Sequence, residues 1–256
     1  MNTQERIEGL RSLHLREKGL TRENNYFHKN RTYMTGELLC WVIKEYSAFS
    51  NEAIHMLMDA AIRVHDWEKL VEEVMHNIEE ERGLETKKVP HLEMMRVGYM
   101  KELNIDTDAV VCSDITASFL KRMRKIFKHN DNAYVAGALL ALEGTAIEEF
   151  HIVDGIVRSY TENSGLQFQK EWLTNLYIDG HKSFEIGHEQ HLLDALSPYI
   201  NEDNFEKFTL GYKAVCYTMS AWWQQLEQES NLFTLDRLVS KMKTEESDIH
   251  KIFAKA

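Results

Sequence analysis

Proline is nearly missing from this chain: 256 residues contain 2 Pro and 12 Gly. So few breakers exclude a fold of many short strands and turns. Apolar residues instead recur three and four apart, the spacing of amphipathic helices. Cysteine is scarce too. Cys40, Cys112 and Cys216 are widely spaced, odd in number and form no CxxC, which argues against a disulfide framework and fits reduced thiols in a cytoplasmic protein. No stretch reaches 18 apolar residues, so no transmembrane helix is expected. The opening MNTQERIEGLRS mixes charges of both signs, unlike a signal peptide. A basic surplus is also lacking: 30 Lys and Arg face 41 Asp and Glu, a formal charge of −11. Nucleic acid is therefore not an expected partner. The local run Lys121-Arg122-Met123-Arg124-Lys125 reads as a solvated helix face.

What the chain does hold is 43% hydrophobic residues, enough to bury a proper core. The expectation is all-α, one helical domain spanning residues 1–256 with nine or ten helices. Helices are expected over Thr3–Lys18, Thr32–Ser50, Trp67–Arg82, His91–Leu103, Asp114–Phe127, Ala133–Tyr160 and Leu166–Leu196. Thr21 to Asn30 reads as a polar loop. Asn51 is expected to cap a separate helix, Glu52–Val64, and Asp66 the helix after it. Two helices, near Asp203–Glu229 and Phe233–Phe253, close the chain.

One stretch stands out chemically. His181, Glu185 and His188 follow the spacing H-x3-E-x2-H, and offsets of four and seven return to nearly one angle on a helix. Two imidazoles and a carboxylate thus share a stripe, as metal ligands would. Random order of this composition gives about 0.09 such matches, so the triplet needs partners elsewhere. Glu143 is one, a carboxylate inside the apolar run YVAGALLALEGTAI, costly unless protonated, paired or bound to a cation. Glu81 and His91 are the others. Gly83 and Pro90 break the chain between them, letting both approach one centre from two directions. Glu80 is the register alternative to Glu81 within the acidic run. Three histidines and three carboxylates suit two ferrous ions, since carboxylates can bridge metals and balance charge.

The order of these residues resembles that of the haem-oxygenase-like di-iron oxidases and oxygenases. The family pattern appears here as Asn77-x3-Glu81-x-Gly83 followed by His91, then Gly137-Ala-Leu-Leu-Ala-Leu-Glu143, then His181-x3-Glu185-x2-His188. Glu185 stands where many members carry Asp, and Leu replaces the aromatic often found before Glu143. The resemblance implies a haem-oxygenase-like (TenA-like) bundle of seven core helices with additions, and a metal set of Glu81, His91, Glu143, His181, Glu185 and His188. It also implies two Fe2+ (or a mixed Mn/Fe pair), dioxygen as co-substrate and a homodimer; nothing in the sequence looks like a flavin or nicotinamide site, so electrons are expected from an unidentified partner or from the substrate itself. Amino-acid-derived and fatty-acid substrates both have family precedents, so a small amphipathic carboxylate is expected.

Other readings compete. Glu148-x2-His151 and Glu185-x2-His188 form two ExxH pairs like those of ferritin-type bundles, but no lone Glu stands at a suitable distance before Glu148. The same fold without di-iron chemistry could serve a haem enzyme using His14, or a thiaminase-type hydrolase with a cysteine nucleophile. A non-catalytic helical interaction protein would pair Glu143 with a basic residue.

Overall fold

A computed structural model describes residues 3–253 apart from 85, 87–88 and 108–111, and side chains from 5 to 235 apart from those and 184–186. Among the described residues the secondary structure is helical: α1 (Thr3–His14), α2 (Tyr26–Asn30), a 3-10 turn (Arg31–Tyr33), α3 (Gly36–Arg63), α4 (Glu68–Glu81), α5 (His91–Glu102), α6 (Asp114–Phe127), α7 (Asn132–Asn163), α8 (Leu173–Leu196) and α9 (Phe205–Phe253). None is long and apolar enough to cross a membrane.

Local chemistry sets many of the boundaries. Asn25, Thr35, Ser113 and Asp131 each accept a hydrogen bond from the backbone amide three residues on, capping α2, α3, α6 and α7. α4 ends at Gly83, whose φ of +100° lets the chain reverse. Other boundaries depend on distant partners. The Glu102 carboxylate accepts from the amides of Leu173 and Thr174 at 2.8 and 2.9 Å, so α8 starts at Leu173 rather than near Leu166. Asp66 caps nothing: it pairs with His65, and the Tyr199 hydroxyl accepts from the Lys69 amide instead.

Three expectations are corrected here. The loop expected over Thr21–Asn30 contains α2. Asn51 lies inside one continuous α3, because Ser47 and Ser50 bond back to the carbonyls of Ile43 and Tyr46 rather than opening a new helix. Likewise α9 runs unbroken from Phe205 to Phe253, with the Ser230 and Thr234 hydroxyls donating to Glu227 O and Ser230 O.

α7 is the axis of the bundle, with α9, α8 and α3 packed around it and α4 and α5 laid on α8. Its apolar run from Val135 to Leu142 is buried on every face. Tyr46, Phe49, Phe119, Trp222 and Trp223 form an aromatic cluster between α3, α6 and α9. Side chains of this size contribute roughly 1.5–3 kcal/mol each on full burial.

Candidate metal centre

Glu81 ends α4, His91 opens α5 and His181 sits mid-way along α8, and the structure brings the three together. Glu81 Oε1 lies 3.1 Å from His181 Nε2 and 3.3 Å from His91 Nδ1. One ligand atom from each falls within 4.8 Å of the others. Ligands bound at about 2.0–2.2 Å from one ion stand roughly 3 Å apart, so these separations fit a common metal.

The donor chemistry agrees. His181 Nδ1 lies 2.7 Å from the carbonyl of Tyr177, which can only accept, so Nδ1 carries the proton and turns Nε2 inward. In neutral His181, that nitrogen is a lone pair facing a carboxylate, and two acceptors at 3.1 Å need a cation between them. A proton can serve. Burial pushes the Glu81 carboxyl upward, but its hydrogen bonds to His181 and His91 outweigh this and hold it well below the usual carboxylate range. A metal ion would serve the same purpose.

His188 stands between two further carboxylates. Its Nε2 lies 2.6 Å from Glu80 Oε2, and its Nδ1 3.8 Å from Glu143 Oε2. The buried Asn77 donates to Glu143 Oε1 at 3.4 Å. Glu143 is 7% exposed on the apolar α7, as the sequence anticipates. Five of the six expected side chains therefore converge; the side chain of Glu185 lies outside the described residues. Glu80, expected only as an alternative to Glu81, also points inward, because α4 ends with its two consecutive carboxylates straddling α8.

A cavity of about 80 Å³ adjoins this cluster, lined by Glu81, Glu143, Glu149, His181 and His188 and walled by the side chains of Tyr46, Phe49, Phe150 and Tyr177. No Lys or Arg lines it among the described residues. Phe150 stacks on the His181 ring, with centroids 4.3 Å apart. Sequence reasoning missed Glu149 and Phe150. Both lie on α7 nearly two turns beyond Glu143, and Glu149, 2% exposed, carried the signal of a second carboxylate on a buried helix.

The competing sites fare differently. Glu148 accepts from the Arg22 amide at 3.0 Å and pairs with its guanidinium, and neither Glu148 nor His151 lines the cavity. Burial raises the thiols of Cys40, Cys112 and Cys216, the last to about 12, the reverse of an activated nucleophile. Tyr134 stacks on His129, and the Tyr160 hydroxyl donates to Leu103 O, whereas Tyr177 lines the cavity.

His14 is buried, with Nδ1 3.1 Å from the Tyr212 hydroxyl, and desolvation lowers its pKa. The unfolded chain binds this proton near pH 6.5, the folded one only at lower pH. Above pH 6.5 His14 therefore costs the fold nothing, and as pH falls below it the preferential protonation of the unfolded chain destabilises the fold. His14→Gln is expected to flatten the decline in urea midpoint between pH 7 and 5 relative to the parent; an unchanged slope would place the acid sensitivity elsewhere.

Comparison with known proteins adds the following. A family model described as a domain of unknown function with a solved structure (DUF3865) matches residues 20–229. No curated protein matches the chain. Two crystal structures of a CADD-like protein of unknown function from Nostoc punctiforme PCC 73102 are similar in fold. They have TM-scores of 0.80 and 0.78 at 24% and 22% identity, covering 87% of this chain and 96% and 93% of theirs. A domain of unknown function with a heme oxygenase-like fold, from Shewanella denitrificans OS217, aligns at TM-score 0.66 and 11% identity, covering 91% of this chain and 95% of that one. The all-α, haem-oxygenase-like architecture is thereby established.

Proposed function

This chain belongs to the DUF3865 family, and we propose that it is a non-haem di-iron oxidase or oxygenase acting on a small amphipathic carboxylate. The observation that carries this reading is the direction of His181 Nε2, turned inward by the Tyr177 carbonyl at Nδ1 and aimed at Glu81 beside His91. Glu81, His91 and His181 would hold one ion. Glu143, His188 and Glu185 would hold the other, with Glu80 in reach of His188. Two ferrous ions would supply electrons and open positions for dioxygen, and the positive charge that a substrate carboxylate does not find in the cavity wall.

The remaining work falls to the chain itself. Asn77 holds one oxygen of Glu143 and leaves the other turned to His188. Phe150 and Tyr177 pack on the His181 ring and fix its plane. The aromatic wall of Tyr46 and Phe49 excludes water and presents an apolar surface to the C–H bonds of a substrate. An outside donor, or the substrate, would return the electrons; a mixed Mn/Fe pair is the alternative filling of the same residues, and the chain would act as a homodimer. Against a thiol hydrolase stand the three raised cysteines.

Metal analysis tests the reading. The chain reconstituted anaerobically with ferrous iron is expected to hold up to two irons and to develop a transient visible absorption on exposure to oxygen. A Soret band would point to haem, and a chain that takes up no metal would leave a helical binding protein.

A further inference from the structure

Glu189, next to the proposed ligand His188, is 6% exposed yet belongs to neither the cavity nor the metal set. Its carboxylate is gripped from α1. Arg11 Nε donates to Oε1 at 2.7 Å, and an Arg11 terminal nitrogen donates to Oε2. The same carboxylate rests on α7 where Gly144 leaves room: a Cβ there would come 3.0 Å from Glu189 Oε1 and 3.9 Å from the Tyr212 hydroxyl. Tyr212 in turn meets His14 of α1. Four helices, α1, α7, α8 and α9, thus meet at one point. Its α7 and α8 members, Gly144 and Glu189, directly follow Glu143 and His188 in the chain.

A buried, charged carboxylate is costly unless a cation or hydrogen-bond donors meet it, and a two-pronged guanidinium fixes direction as well as charge. Successive helical residues are set about 100° apart. Holding Glu189 therefore fixes the rotation of α8 at its neighbour, and with it the direction in which His188 projects. The helix that supplies this grip lies before the residues the family model matches.

We propose that Arg11 is a positioning residue: through Glu189, α1 clamps α8 against α7 and sets His188 for the second metal position. The metal part rests on the function proposed above; the clamp itself does not. The test compares the full-length chain with Arg11→Ala and Arg11→Lys. Hydrogen–deuterium exchange is followed on the metal-free proteins, and visible absorption during titration with cobalt(II). Arg11→Ala is expected to speed exchange along α8 around His188 while leaving α6 unchanged. It should also weaken one of two cobalt equivalents by about 10- to 100-fold, with Arg11→Lys recovering part of both effects. Gly144→Ala, which pushes on the same carboxylate from α7 with Arg11 intact, is expected to weaken the same equivalent and stands in if Arg11→Ala does not fold. Unchanged α8 exchange in Arg11→Ala overturns the clamp. Faster exchange with both cobalt equivalents bound as in the parent overturns the positioning role. If the parent itself takes up no cobalt, the metal reading falls, while faster α8 exchange still upholds the clamp.

Discussion

Replacing His181 with alanine is expected to abolish oxygen-dependent turnover and to leave no more than one iron per reconstituted chain. His181 is a proposed ligand whose direction is set from three sides: one ring nitrogen is held by the Tyr177 carbonyl, the other faces Glu81, and Phe150 stacks on the ring. Alanine removes the nitrogen and strips Glu81 of its nearer partner, leaving His91 at 3.3 Å. Disturbing an outer partner of a metal ligand already costs about 10- to 100-fold in affinity or activity; deleting a ligand exceeds that. His188→Ala should do the same to the second position. His151→Ala supplies the contrast, since His151 lies outside the cavity wall, and it should retain turnover. Iron content, oxygen uptake and far-UV circular dichroism read the three variants, the last showing that the bundle persists. Full activity in His181→Ala, or its loss in His151→Ala alone, would remove the proposed centre and favour the ExxH pairing.

Much of that centre was legible because its residues break a pattern. Glu143 interrupts an otherwise apolar helix, and His181 and His188 repeat at the helical period, so each shows against its surroundings. Glu80 does not. In the run Glu79-Glu80-Glu81 every position is acidic, and the composition cannot tell which faces inward. The answer depends on α4 ending between α5 and α8, where Glu80 meets His188 and Glu81 meets His91 and His181. Arg11 and Glu189 were invisible for a related reason, since they meet across 178 positions of chain and each alone resembles any surface charge. Helix boundaries divide the same way. Those capped by a neighbour, at Ser113 or Asp131, can be read locally. The start of α8 cannot, because its capping carboxylate, Glu102, belongs to α5.

The crossing of α7 and α9 leads to the second large effect: Gly137→Ala is expected to destabilise the fold by about 3 kcal/mol or more, where helix propensity alone predicts a gain of about 0.5–1 kcal/mol. A Cβ on Gly137 would lie 1.9 Å from the backbone carbonyl oxygen of Phe208, and one on Gly211 would lie 1.8 Å from that of Tyr134. The two glycines therefore face each other's helix across one close approach. Neither obstacle is a side chain that can rotate aside, so both helices must move apart, opening the contact between Val135–Leu142 and α9 that buries much of the core. Because Glu143 is six residues further along the same helix, that movement should also carry it away from His188. At roughly 2–4 °C per kcal/mol for a chain of this size, Tm should fall by about 6–12 °C, and the second iron should be lost with it. Gly9→Ala is the control: nothing lies within 4 Å of its added methyl, and it should stabilise α1 slightly. If Gly137→Ala melts with or above the parent, the helices do not approach as closely as described, and the backbone frame that places Glu143 would have to be redrawn.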